Sequence, residues 1–316
     1  MNRSMQALAL GLMLSAQAGF AEGRFGAVVR DSGVIDLGGV PHPYMVEGKG
    51  ETCLIVGPGS QYPPLLSDRL KRSLRFLFVD FKRTWTAPQG TDISKIGLQT
   101  MVDEVEAVRQ AFGIDRLCLV GHSTPVFVAV EYALQHPEHV SRLIMIGAPP
   151  YTNADTFRFQ REFWERDASP ARKARYAENL KRWPNELLSR LTPYDDFSVR
   201  YTRGDPYYFY DYNYDFTWIH LGRYFNAPLA IQFYRQTTAE YDPRDRLAKT
   251  KIPILSIIGR YDYIMPPDLW AGYEQRVPTS TVVKFERSGH FPMIEEQDRF
   301  DATVISWLKR TPRLGR

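Results

Sequence analysis

The sequence has little of what several large protein classes require. Its 316 residues include only two cysteines, Cys53 and Cys118, and no Cys-x-x-Cys pair or Cys/His cluster that would suggest zinc. Both lie in apolar, strand-like runs, so we expect buried free thiols rather than a disulfide. The net charge is only +4 and basic residues are scattered among acidic ones. This excludes the dense basic stripe of a nucleic-acid-binding protein.

Long apolar runs are also scarce. The run ALALGLMLSA at 7–16 is too short to anchor the chain stably in a bilayer, and no other run approaches a transmembrane length. Arg3 precedes this run, and Ala16-Gln17-Ala18 follows it as an A-x-A cleavage site. We therefore predict that residues 1–21 are a cleaved export signal and that the protein is secreted or periplasmic. The alternative is a disordered extension of a cytoplasmic protein.

The sequence does contain a regular alternation of strand-like and helix-like segments. Helical spacing marks 126–135 and also 94–112, where Ile96, Met101 and Val105 share one face. The strand-like runs are continuously apolar, which is typical of a parallel sheet covered on both faces. This alternation predicts an α/β fold with a mostly parallel, doubly wound sheet. Short apolar runs predict the strands at 43–46, 53–56, 75–80, 117–120, 143–146, 254–258 and 281–285.

One segment, 151–245, interrupts this alternation. Its composition shifts to aromatic and charged residues, most densely in YYFYDYNYDFTW at 207–218. We predict a cap of short helical pieces inserted over the carboxyl edge of the sheet, where such sheets bind ligands. The core would then comprise 22–150 and 246–316. The aromatic run could line a substrate pocket or form ordinary cap core. Its candidate substrate-binding residues are Tyr210, Tyr214 and Trp218.

Serine, aspartate and histidine follow three predicted strands in that chain order. Ser123 lies in VGHSTPVF between a strand and a helix, Asp262 ends GRYD, and His290 lies in SGHFP. A serine hydroxyl needs a base and a group that orients the base. His290 would take the Ser123 proton, and Asp262 would fix its tautomer. Each residue alone is commonly structural, but three at strand ends in this order predict a catalytic triad.

The turn at Ser123 departs from the usual Gly-x-Ser-x-Gly elbow, because Thr124 and Pro125 follow the serine and the second glycine is missing. Pro125 would lie in the first helical turn, where its missing N–H has no intrahelical partner to lose. Its ring should keep Thr124 out of the helical region. Such a turn is compatible with a working nucleophile.

Acyl transfer also requires backbone N–H groups that face the developing oxyanion. Thr124 would supply one such N–H. The loop after Val56 should supply the second. Because Pro58 has no N–H, Gly59 is the predicted donor and Ser60 the reserve.

From about Val34 to Leu308 the chain resembles the α/β-hydrolase superfamily. The motifs that carry the resemblance are GHS at 121–123, GRYD at 259–262, SGHFP at 288–292 and EYALQHPEHVSRLIMIG at 131–147. The long aromatic cap is most similar to that of proline iminopeptidase-like hydrolases. This similarity implies cap carboxylates that hold a free amino group, with Glu165, Asp211, Asp215 and Glu240 as candidates.

Two departures separate the chain from the iminopeptidase pattern. The loop VGPGS at 56–60 lacks the histidine of His-Gly-Gly-Pro-Gly, and the elbow lacks the Trp-Gly that follows the serine. The leading prediction is therefore a serine hydrolase that cleaves a small ester or amide through an acyl-enzyme. An iminopeptidase acting on short peptides and a non-catalytic binding protein of the same fold are the alternatives. Related dehalogenases and epoxide hydrolases carry aspartate at the nucleophile position, which Ser123 occupies here.

The predicted reaction needs no cofactor and no metal. The triad works without either, and no strand is followed by the Gly-x-Gly-x-x-Gly pattern of a dinucleotide-binding site. We expect a small-molecule or short-peptide substrate, no nucleic-acid partner and no stable membrane span. The sequence leaves the oligomeric state open.

Overall fold

The computed structural model describes residues 30–188, 190, 193–219, 226–237 and 240–312. The predicted signal segment, 1–21, lies outside the described residues, so export stays a prediction. The strands in chain order are β1 (Arg30–Asp36), β2 (Pro41–Gly48), β3 (Glu51–Val56), β4 (Leu74–Val79), β5 (Leu117–His122), β6 (Val140–Ile146), β7 (Thr152–Asn153), β8 (Glu240–Tyr241), β9 (Ile254–Gly259) and β10 (Ser280–Phe285).

An eight-stranded sheet forms the centre of the fold, in the order β1-β2-β4-β3-β5-β6-β9-β10. Strand β2 pairs antiparallel with β1 and with β4, and the other pairs of this sheet are parallel. The carboxyl ends of β5, β9 and β10 therefore lie at the same edge. The predicted α/β fold with a mostly parallel sheet is confirmed. Strand β1 was not predicted, because its sequence RDSGVID is polar and largely exposed.

The helices cover both faces of the sheet. Along β3, Leu54 and Val56 pack in one core cluster with the apolar residues of α2 and α3, while Cys53 and Ile55 pack in the opposite cluster with those of α12. Both cysteines are buried free thiols, as expected. The helices are α1 (Asp68–Lys71), α2 (Leu98–Ala111), α3 (Pro125–Gln135), α4 (Ala154–Asp167), α5 (Pro170–Arg182), α6 (Asn185–Leu188), α7 (Pro193–Tyr208), α8 (Ala227–Thr237), α9 (Arg244–Leu247), α10 (Tyr273–Arg276), α11 (Pro292–Glu295) and α12 (Gln297–Arg310).

The segment between β6 and β9 contains longer helices than predicted. Helix α4 has 14 residues, α5 has 13 and α7 has 16. The side chain of Asn153 caps α4, and that of Ser169 caps α5 by accepting the N–H of Arg172. The two ends of this segment lie next to each other, because β7 at its start pairs antiparallel with β8 near its end. The predicted cap boundaries at 151 and 245 lie just outside this pair and stay a prediction.

None of the helices in the described part of the chain has both the length and the apolar character that a membrane span needs.

Candidate active site

Ser123 occupies a sharp turn between β5 and α3. Its φ of 62° is the only positive φ of a non-glycine residue within the described ranges. The turn is held by its N–H, which donates to the carbonyl oxygen of Ile146 at 2.9 Å. It is also tight, because a β-carbon on Gly121 would lie 2.8 Å from the Cα of Val126. A serine in the left-handed region on a strand–turn–helix junction has the backbone geometry of a nucleophile elbow.

The two residues after the serine continue the turn in an unexpected conformation. Thr124 adopts φ −51° and ψ −36°, the helical region that a following proline disfavours. The expectation that Pro125 keeps Thr124 out of this region is therefore wrong. Pro125 begins α3, and its ring packs over Gly57, whose β-carbon would lie 3.1 Å from Pro125 Cγ. Close packing of the turn against neighbouring backbone outweighs the local preference.

Asp262 and His290 form a buried pair at the ends of β9 and β10. Asp262 Oδ2 lies 2.7 Å from His290 Nδ1, and both side chains are about 1% exposed. Asp262 Oδ1 accepts the N–H groups of Ile264 and Met265 at 2.9 and 2.8 Å. Because a carboxylate only accepts, Nδ1 of a neutral imidazole must carry the proton, which leaves Nε2 as a proton acceptor.

The accepting nitrogen of His290 is buried and has no hydrogen-bond partner among the described residues. An unpaired buried nitrogen is unusual and calls for an explanation. Ser123 lies at the same edge of the sheet, and the ring centroid of its neighbour His122 is 4.9 Å from that of His290. No hydrogen bond joins Ser123 Oγ and His290 Nε2 in the described structure. In enzyme structures without substrate, the hydrogen bond between a base and the group it deprotonates is often long or poorly aligned.

His122 holds the loop that carries His290. Its Nε2 donates to the carbonyl oxygen of His290 at 2.9 Å, and its Nδ1 faces the Tyr62 hydroxyl at 3.4 Å. Burial, together with the nearby charge of His290, lowers the pKa of His122 to about 3. This histidine is therefore neutral near pH 7 and makes local contacts. Nothing in the sequence around His122 indicates this contact with the His290 loop.

The loop after β3 contains the predicted second oxyanion donor. Gly59 packs against the backbone of β4, since its β-carbon would lie 2.4 Å from Val79 N. The N–H of Ser60 already donates to Asp80 Oδ1 at 2.9 Å. Gly57 lies nearer to the elbow, in contact with Pro125. The N–H groups of Gly57 and Thr124 have no acceptor among the described residues.

A small cavity of about 60 Å³ opens beside Ser123. No charged side chain lines it in the part of the chain that the structure describes. The 207–218 run contributes Phe216, but Tyr210, Tyr214 and Trp218 lie outside the lining. Tyr210 instead packs on Tyr261. The side chains that form most of the wall are Gln61, Tyr62, Leu65, Trp85, Tyr201, Phe216, Ile219 and Phe291.

The four candidate carboxylates of the cap also lie away from this cavity. Glu165 pairs with Lys173 and its side chain is 71% exposed. Asp211 and Asp215 are exposed and accept N–H groups of residues two positions ahead, which is typical of turns. Glu240 is exposed in β8. The part of the cavity wall that is described therefore has no carboxylate for a substrate amine.

One group of described residues has a composition suited to a metal ion. A ligand atom from each of Glu106, His136 and His139 lies within 4.8 Å of the others. The Glu106 carboxylate, however, is already paired with Arg109, and it also accepts the Tyr132 hydroxyl at 2.6 Å. A metal would have to displace these donors. The group also belongs to α2 and to the segment between α3 and β6, not to the site around Ser123.

The comparisons with known proteins agree with this architecture. Residues 67–297 match the pattern of the alpha/beta hydrolase fold, so the chain belongs to this family of hydrolases. It is similar to the AB hydrolase superfamily protein YclE of Bacillus subtilis (strain 168), with 27% identity over 278 residues that cover 88% of this chain and 98% of that protein.

The chain is also similar to a proline iminopeptidase of Saccharolobus solfataricus. The two are 24% identical over 294 residues, which cover 86% of this chain and 89% of the relative. Among solved structures, an alpha/beta fold family hydrolase from Bacillus anthracis superposes with a TM-score of 0.65. It is 18% identical and the match covers 89% of this chain and 99% of that chain. The predicted superfamily resemblance is confirmed.

Proposed function

We propose that this protein is a serine hydrolase that cleaves a small ester through an acyl-enzyme. Ser123 Oγ attacks the ester carbonyl and passes its proton to His290 Nε2. Asp262 stabilises the resulting imidazolium. His290 then returns the proton to the leaving alkoxide. Water, activated by the same nitrogen, releases the acid and frees the serine. The supporting observation is the buried, unpaired Nε2 of a histidine whose tautomer Asp262 fixes.

The oxyanion in this proposal is stabilised by two backbone N–H groups. One belongs to Thr124, directly after the nucleophile. For the second we propose Gly57 rather than Gly59, because Gly57 contacts the elbow through Pro125 whereas Gly59 packs against Val79. Both proposed N–H groups lack an acceptor among the described residues, as donors reserved for a developing charge should.

The character of the cavity favours an ester with a short acyl group. The cavity is small, at about 60 Å³, while the cap lies in this position. Aromatic and aliphatic side chains dominate its wall. An aminopeptidase needs a buried anion for the substrate's amino group, and the described lining supplies none. Similarity to a proline iminopeptidase keeps that activity as the second candidate.

The experiment compares kcat/KM for p-nitrophenyl acetate and butyrate with that for prolyl-p-nitroanilide. A cationic amine buried without a partner should disfavour the prolyl substrate by about 100-fold or more. The Ser123→Ala variant, measured with all three substrates, controls for background hydrolysis. A preference for the prolyl substrate would establish the iminopeptidase alternative instead. Turnover of all three at the level of Ser123→Ala would favour a non-catalytic binding protein.

A further inference from the structure

The last turn of α7 contacts both the loop that carries His290, the candidate base, and the loop that carries Asp262, which orients it. We define residues 207–210 as the cap turn. The carbonyl oxygen of Tyr208 accepts the N–H of His290 at 2.6 Å, and that of Tyr207 accepts the N–H of Tyr263 at 3.0 Å. Tyr263 directly follows Asp262. The cap therefore forms backbone hydrogen bonds with both strand-end loops of the triad.

Glu295 links the cap turn to the His290 loop a second time. Its Oε1 accepts the N–H of Tyr210 at 2.6 Å, and its Oε2 accepts the N–H of Gly289 at 2.7 Å. One carboxylate thus joins the cap to the residue before the candidate base.

Arg172 holds the cap turn from the opposite side. It donates to the carbonyl oxygens of Phe209 and Tyr210 at 2.6 and 2.7 Å, and its residue is only 3% exposed. The N–H of Tyr210 therefore binds Glu295 while its carbonyl binds a buried guanidinium. With both groups held, the turn has little freedom to shift relative to α5 and the His290 loop.

Gly289 allows the close approach between the two segments. A β-carbon at this position would lie 2.2 Å from the carbonyl oxygen of Tyr208 and 3.0 Å from the Cα of Phe209. Any side chain would therefore push the cap turn away from the loop.

We propose that Glu295 is a positioning residue for the reaction. It holds the cap turn against the His290 loop and so fixes the position of the His290 imidazole. This inference rests on the proposed function of Ser123, Asp262 and His290. The backbone of His290 is held on two sides: its N–H binds the cap, and its carbonyl binds His122. Displacement of the cap turn would break the first of these two hydrogen bonds. Small displacements of a catalytic group are known to cost large factors in rate.

The test compares Glu295→Ala and Glu295→Gln with wild type. Glu162→Gln serves as the matched control, because this exposed cap glutamate pairs only with Arg158 in the described structure. We expect Glu295→Ala to lower kcat for a short ester and the rate of fluorophosphonate labelling of Ser123 by about tenfold, with KM changed by less than about twofold. Glu295→Gln should be intermediate, because its amide oxygen keeps one of the two acceptors.

Amide hydrogen exchange measures directly how firmly the cap turn is held against the His290 loop. In Glu295→Ala, exchange should accelerate at 207–210 and 289–291 and stay unchanged in β5. If Glu295→Ala does not fold, Gly289→Ala should give the same pattern by steric displacement of the cap turn.

Three results would overturn the proposal. If kcat and the labelling rate per folded molecule stay at wild-type values while only the melting temperature falls, Glu295 has a structural role alone. Unchanged exchange at 207–210 would show that it does not seat the cap. In both cases a labelled wild type would leave the proposed function intact. A folded wild type that takes no label would remove the proposed function and this inference with it.

Discussion

Replacing Asp262 with asparagine should disable the candidate base while preserving the fold. Oδ1 of Asp262 accepts two backbone N–H groups, and Oδ2 accepts from His290 Nδ1. The single oxygen of an asparagine must stay with the two backbone donors. Its NH₂ group then faces Nδ1, which becomes an acceptor, so the imidazole proton moves to Nε2. A protonated Nε2 cannot accept the proton of Ser123.

The magnitude follows from this tautomer change. In a serine protease the same substitution lowers kcat about 10⁴-fold, which corresponds to about 5.4 kcal/mol of transition-state stabilisation. We expect a loss of about 10³- to 10⁴-fold in kcat for a short p-nitrophenyl ester, measured by stopped-flow or steady-state kinetics. KM should change little, because Asp262 does not line the cavity.

The matched control is Asp301→Asn. Asp301 is also a buried aspartate, but it lies in α12 and accepts the hydroxyl of Ser67, the residue that caps α1. This control should keep kcat near the wild-type value. If Asp262→Asn also stayed within about tenfold of wild type, while Ser123→Ala was inactive, Asp262 would not orient the base.

Two further predictions concern residues beside the elbow. The pKa of His122 is lowered to about 3, so between pH 6.5 and about 3 the unfolded chain binds a proton that the folded chain does not. The free energy of unfolding should therefore decrease as the pH is lowered through this window, by up to about 1.4 kcal/mol per pH unit. His122→Gln should flatten that slope in urea unfolding, and parallel slopes would contradict the assignment. Gly121→Ala should destabilise the fold by about 1–3 kcal/mol, because its methyl group meets the Cα of Val126 at 2.8 Å. An unchanged melting temperature would show that the elbow relaxes freely.

The central strands were predictable because each is buried on both faces. Their apolar runs stand out in the sequence, and the strands at 53–56 and 117–120 lie within the observed β3 and β5. Strand β1 could not be found in this way, because an exposed edge strand needs no apolar run. The cap helices are longer than the predicted short pieces, because sequences rich in charged and aromatic residues do not show a clear apolar stripe.

The placement of Ser123, Asp262 and His290 at one edge of the sheet could be predicted from chain order, since parallel strands bring their carboxyl ends together. Their catalytic roles stay a prediction. The lining of the cavity could not be predicted from the sequence. Its wall combines Tyr62, Trp85 and Tyr201 with residues of the elbow, and only tertiary packing brings such distant positions together. The conformation of Thr124 was also unpredictable from local rules, because packing of Pro125 over Gly57 outweighs the proline preference. Local propensity often yields to packing at functional sites.

The most direct test of the account is mass spectrometry of the intact protein after reaction with a fluorophosphonate probe, on wild type and on Ser123→Ala. The account predicts one adduct on the wild type, located on Ser123 by peptide mapping, and none on the variant. A folded wild type without an adduct, or an equal adduct on Ser123→Ala, would contradict the assignment of Ser123 as the nucleophile.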